Sequence, residues 1–185
     1  VGCDIHMFVE VYDKKSGWWK AMKMPYALNI HRSPTDFPVF ETYEGQLEEY
    51  AYAGINPKDM LFREYPYMGT EEKYSVLIWR DYELFGHLAG VRSSSKFQIA
   101  DPRGLPEDVS PLPLVASGMM GRDGHSHSWV TLDEVLGLAS IIGKTIPKAP
   151  VISNDADALF ETYVPILLNA GYQGDQARFV FFFDN

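Results

Sequence analysis

Asp4 and His6 stand two positions apart in the run Cys3-Asp-Ile-His-Met-Phe-Val-Glu-Val-Tyr12, where apolar and more polar residues alternate. In a β-strand, side chains two apart leave the same face. A carboxylate and an imidazole therefore emerge together, able to share a divalent metal ion or to act as an oriented acid–base pair. The same pattern also suits the solvent face of an ordinary strand. A second pair, His125 and His127, lies in Asp123-Gly-His-Ser-His-Ser-Trp129. His-x-His is a frequent metal-ligand spacing. If this segment is extended, both imidazoles and Trp129 project to one side, with Asp123, Ser126 and Ser128 close by. It also precedes a helix start, where free backbone amides favour an anion.

Three arginines form the next group. Arg80, Arg92 and Arg103 occupy element ends or Pro/Gly-rich loops, where guanidinium groups can converge on phosphate or carboxylate. Asp184, near the last residue, completes the set. Antiparallel pairing of the first and last strands brings it beside Asp4 and His6; parallel pairing places it at the opposite end of the sheet. Glycine-rich phosphate loops, H-E-x-x-H and G-x-S-x-G are all absent. Cys3, the one cysteine, falls on the apolar face of its strand and is a poor nucleophile there.

The elements that must position these groups follow from local pattern. Residues 3–12 read as a strand, 13–17 as a turn and Trp18 to Met22 as a returning strand. Asp81 caps a helix to Ala89, with Gly90 at its C-terminal cap. The proline-rich stretch from Asp101 to Pro113 reads as loop. Thr131-Leu-Asp-Glu134 matches a capping box that opens a helix to about Ile142. Ser153 or Asn154 opens a last helix to about Ala170, kinked at Pro165 and stopped by Gly171. Ala177 to Asp184 reads as a central strand, because its aromatic residues occupy both faces. Residues 24–75 form an aromatic, Pro-rich excursion with one amphipathic helix around Glu41 to Ala53.

At 185 residues with 14% aromatics, the chain suits one domain with one core. A formal charge of −9 argues against non-specific DNA binding. A single cysteine allows no internal disulfide, so a reducing cytosol is the simplest setting. No apolar run reaches the roughly 18 residues needed to span a bilayer, so no membrane partner is expected.

Gly2-Cys-Asp-Ile-His6, Arg80-Asp-Tyr-Glu-Leu-Phe85, Leu88-Ala-Gly-Val-Arg92, Pro102-Arg-Gly-Leu-Pro106, Asp123 to Trp129 and the final Phe183-Asp-Asn185 together resemble a family of uncharacterised phage and bacterial proteins. That resemblance implies a phage or prophage origin, with the host cytoplasm as its location. Asp4, His6, His125 and His127 also resemble the Asp-x-His and Gly-His-x-His motifs of calcineurin-like metallophosphoesterases. The family's intervening G-D-x-x-D-R and G-N-H-[DE] blocks are missing, so its dinuclear site does not carry over.

The expectation is an α+β domain, with a mainly antiparallel sheet holding both terminal strands and three to four helices packed on it. Its expected function is metal-dependent hydrolysis of a phosphodiester or nucleotide. Asp4, His6 and His127 would hold a divalent ion, and His125 with Asp123 would move protons. Arg80, Arg92, Arg103 and Trp129 would hold substrate, and Asp184 would orient a histidine from behind. The alternative is a non-catalytic phage protein of counter-defence type that binds a nucleotide or a host protein.

Overall fold

The computed structural model describes residues 2–22, 76, 78–151 and 157–185, so the excursion at 24–75 and the cap at Ser153 or Asn154 lie outside the described residues. One four-stranded antiparallel sheet carries the fold, in the order β2-β1-β4-β3. Its strands are β1 (Asp4–Asp13), β2 (Trp18–Ala21), β3 (His125–Thr131) and β4 (Ala177–Asp184). The alternation in residues 3–12 and the doubly apolar final strand are both realised. Strand β4 is central and pairs antiparallel with β1 from Asp4↔Asp184 to Val11↔Ala177.

Each sheet face has its own cover. Met7, Val9, Val11, Phe179, Phe181 and Phe183 point into the main core. Helix α1 (Tyr82–Ala89) joins them through Leu84, Phe85 and Leu88, with the Phe85 and Phe183 ring centroids 5.0 Å apart. Asp81 caps α1 by accepting from Glu83 N and Leu84 N, and Gly90 closes it at φ 68°. That left-handed value suits a residue with no Cβ. Helix α3 (Leu132–Ile142) packs on the same core, and its capping box between Thr131 and Glu134 is fully formed.

The opposite face, with Phe8, Val180 and Phe182, is also sealed from water. Its neighbours include helix α2 (Pro111–Met120), whose Ser117 reaches β3 and whose N-cap Ser110 bonds Glu10 of β1. Here the expected loop to Pro113 gives way to helix. Pro111 and Pro113 sit in the first turn, where the missing N–H groups have no intrahelical partner to lose.

The last helix divides at the expected point. A π-helical turn spans Leu159–Tyr163 and α4 follows as Val164–Asn169. Pro165 has no N–H for the Glu161 carbonyl, and Val151 N donates to that carbonyl instead, at 2.9 Å.

Candidate functional site

The start of β1 and the end of β4 meet at one edge of the fold and bring together polar groups distant in sequence. Asp4 lies directly opposite Asp184 in the strand register, and His6 opposite Phe182. His6 Nε2 is 3.3 Å from Asp184 Oδ2. That nitrogen is buried and makes no aligned hydrogen bond, so the contact is electrostatic rather than directional. The imidazole is held in place by stacking on Phe182, with centroids 4.9 Å apart.

Arg80 arrives from the segment before α1 and grips Asp4 with two bonds, Nε to Oδ1 at 2.6 Å and Nη2 to Oδ2 at 2.9 Å. The bonded guanidinium draws the Asp4 carboxyl below its ordinary value, partly opposed by burial. Asp4 in turn raises the pKa of Arg80. Gly2 makes this geometry feasible, because a Cβ there would fall 2.3 Å from Arg80 Nη1. Next to Asp184, Asn185 accepts from Arg92 through Oδ1 at 2.6 Å.

The two histidines of the second motif do not share a side. Ser126 has φ 52°, and the β3–β4 register slips by a residue between His125 and Ser128. This bulge sends His125 to the core side, where it stacks near Phe183 at 6.1 Å. His127 goes to the other side and stacks on Phe182 at 5.3 Å. A regular strand alternates strictly; one inserted residue breaks the rule. Arg92 and Ser126 are the non-glycine residues with positive φ among those described, and both adjoin this edge. Such conformations cost of order 1–3 kcal/mol each and concentrate at functional sites.

No family model, curated protein or solved structure matches the chain. Its chemistry must be read from this geometry.

His6 and His127 flank β4 on opposite sides of Phe182, about two strand spacings or ~10 Å apart. One ion bound at about 2 Å from each nitrogen cannot span that gap. The expected trio of Asp4, His6 and His127 is therefore not assembled. Among the described residues, no three His, Cys, Asp or Glu side chains stand grouped for an ion. Asp4, His6 and Asp184 are the neighbouring set.

The remaining expected residues disperse. Asp123 is exposed in a 3-10 turn (Gly121–Asp123), and His125 Nδ1 bonds Ser126 Oγ at 3.0 Å instead. Arg103 is committed to Glu134, at 2.9 and 2.6 Å, and to the Trp129 carbonyl at 2.9 Å. Its guanidinium lies 4.8 Å from the Trp129 ring centroid, so both residues serve the start of α3.

Two contacts had no clear signal in the sequence. Ser117 of α2 meets His127 Nε2 at 2.7 Å, and burial pushes the His127 pKa down. Arg178 and Glu10 form a buried ion pair at 2.7 Å, with Asp108 at 2.9 Å and the Trp19 ring 3.9 Å from the guanidinium. Glu10 was visible only as one polar position of β1, with nothing to name its partner 168 residues on. No helix among the described residues is long and apolar enough to cross a membrane.

Proposed function

We propose that the protein hydrolyses a phosphodiester or nucleotide at the edge formed by Asp4, His6, Asp184, Arg80 and Arg92. The observation that carries this reading is the 3.3 Å approach of His6 to Asp184, with Arg80 bonded to the facing Asp4 and Arg92 to the adjoining Asn185. Asp184 faces the Nε2 side of the ring, and the imidazole is the group that would accept a proton from water. Arg80 and Arg92 supply positive charge where a phosphoryl group gains negative charge in the transition state.

A divalent ion could enter this reading only after rearrangement, because Asp4, His6 and Asp184 do not stand grouped for one. The facing carboxylates favour it, since like charges opposite one another on paired strands are destabilising without a cation between them. Asp4 would first have to release Arg80. A bound ion would then lower the pKa of its water. The bidentate Asp4–Arg80 pair favours a second reading, a non-catalytic nucleotide-binding protein, because it keeps this edge closed to metal.

The test is turnover of bis(p-nitrophenyl) phosphate and a nucleotide panel by wild type, His6→Ala and Asp184→Asn, with and without chelator. Hydrolysis reduced about 10²–10⁴-fold in His6→Ala supports the proposal. Nucleotide binding without turnover moves the assignment to the binding protein. Neither turnover nor binding overturns both.

A further inference from the structure

Away from these strand ends, a cavity of about 170 Å³ opens between α1, the end of α3 and the π-helical turn. Asp81, Glu83, Leu84 and His87 line it from α1 and its cap, with Lys144, Asp157 and Phe160 opposite. Lys144 is paired to Asp157 at 2.6 Å. Three carboxylates against one ammonium leave the lining with a formal charge of −2. The pKa of Lys144 is raised, chiefly by its bond to Asp157 and further by the charges of Asp81 and Glu83.

His87 gives this acidic cavity a specific chemistry. Its side chain is 8% exposed. Nδ1 lies 2.7 Å from the Phe97 carbonyl and 2.6 Å from Ser95 Oγ. A carbonyl oxygen only accepts, so Nδ1 carries the proton. Nε2 is then the bare nitrogen of the neutral ring, and no hydrogen bond from the described residues reaches it. With Nδ1 tied to the 95–97 loop, the edge bearing Nε2 is the one turned to the cavity and to Glu83. An imidazole fixed by an N–H to a backbone carbonyl, with its other nitrogen free, is the arrangement that orients a metal-ligating histidine.

Glu83 stands one helical turn before His87, with Oε1 3.8 Å from Nε2. That is too long for a hydrogen bond. It is close to the ~3.4 Å between two atoms that each lie about 2.0–2.1 Å from one tetrahedral ion. The Glu83 side chain is 84% exposed and free to close the remaining gap. We propose that this cavity binds a divalent transition-metal ion, with His87 Nε2 and the Glu83 carboxylate as its two protein ligands. Imidazole selects zinc, nickel or cobalt over magnesium and calcium, which prefer oxygen. Asp81 and the Asp157–Lys144 pair set the charge around the ion.

The test uses untagged, metal-stripped protein titrated with zinc against a chromophoric chelator, and with cobalt by visible absorption. Wild type and Asp184→Asn should each bind about one equivalent here. Glu83→Ala should weaken binding about tenfold or more, and His87→Ala should abolish it. Glu83 is exposed, so its variant decides the matter if His87→Ala fails to fold. No binding by wild type, or equal affinity in wild type and Glu83→Ala, overturns the site. Loss in Asp184→Asn with retention in both α1 variants overturns it as well and points to the site at the ends of β1 and β4.

Discussion

Asp4 on β1 stands directly opposite Asp184 on β4, and each carboxylate has its own neighbour: the Arg80 guanidinium for Asp4 and the His6 ring for Asp184. The consequence is testable in acid. Asp4 has a folded pKa below its ordinary 3.8 because of the Arg80 bonds. A depressed carboxylate contributes stability above its unfolded pKa and loses it as pH falls through the folded value. Wild type and Arg80→Met should therefore differ at neutral pH and converge below about pH 4. Both side chains are about half exposed and screened by solvent, so the difference should be small. Urea unfolding across pH 2–7 measures it, and a gap that widens in acid would refute the assignment.

Gly2→Ala should act on the same pair from the outside. The new Cβ meets the far end of the Arg80 side chain, which can swing away without disturbing the core. The expected outcome is an intact fold with Asp4 titrating closer to its ordinary value, read by carboxyl carbon NMR. An unchanged Asp4 titration would show that Arg80 keeps its grip despite the methyl group.

The legible and illegible parts of this fold divide by the range of the rule involved. Asp81 and Thr131 announce helix starts because a cap acts within three residues. The apolar alternation of β1 and the doubly apolar β4 announce their faces because the strand period is two. The antiparallel meeting of Asp4 with Asp184 was reached as one of two possible pairings. Helix α2 escaped notice because it is buried on nearly every side and so shows no amphipathic period, while its prolines read as breakers. The opposed directions of His125 and His127 turn on one dihedral angle at Ser126, to which a two-residue period is blind. The partners of Arg80 and Arg103 lie 76 and 31 residues away, beyond any local rule.

His127 should make stability fall on mild acidification. Burial lowers its folded pKa below the ordinary 6.5, with the nearby His125 adding to the shift. The unfolded chain then takes up a proton near pH 6.5 that the native chain resists, so stability is full above that pH and declines as pH falls toward the folded value. His127→Gln removes the titrating group while leaving a polar atom to face Ser117. Its stability should be flatter than wild type between pH 7 and 5 in chemical unfolding. An equally steep decline in the variant would place the effect elsewhere.

The Thr131 capping box offers a local check on how α3 is held. Thr131 Oγ1 accepts from Glu134 N at 3.2 Å, and Glu134 Oε1 accepts from Thr131 N at 3.1 Å while also pairing with Arg103. Thr131→Ala should cost about 1 kcal/mol, typical of a lost N-terminal cap. Arg103→Met should cost a similar or smaller amount, since its ion pair is only partly shielded. Because both act through Glu134, their effects should fall short of additive in the double variant.

The buried pair between Glu10 and Arg178 should be costly to break and cheap to replace. Glu10 is fully buried and Arg178 is 5% exposed, beneath the Trp19 ring. Glu10 Oε2 also accepts from Ser110 N at 2.6 Å, tying the start of α2 to β1. Glu10→Leu leaves the buried arginine with Asp108 as its one carboxylate partner among the described residues, and a cost of about 3–5 kcal/mol is expected. Arg178→Met alone strands the Glu10 carboxylate and should cost a comparable amount. In the double variant no buried charge is left unmatched, while Met keeps contact with Trp19. Much of the loss should then be recovered, apart from the orphaned Ser110 amide. Denaturant unfolding of all four proteins gives the coupling free energy. Simple additivity of the two single losses would mean that the pair is held apart by water and does not act as a unit.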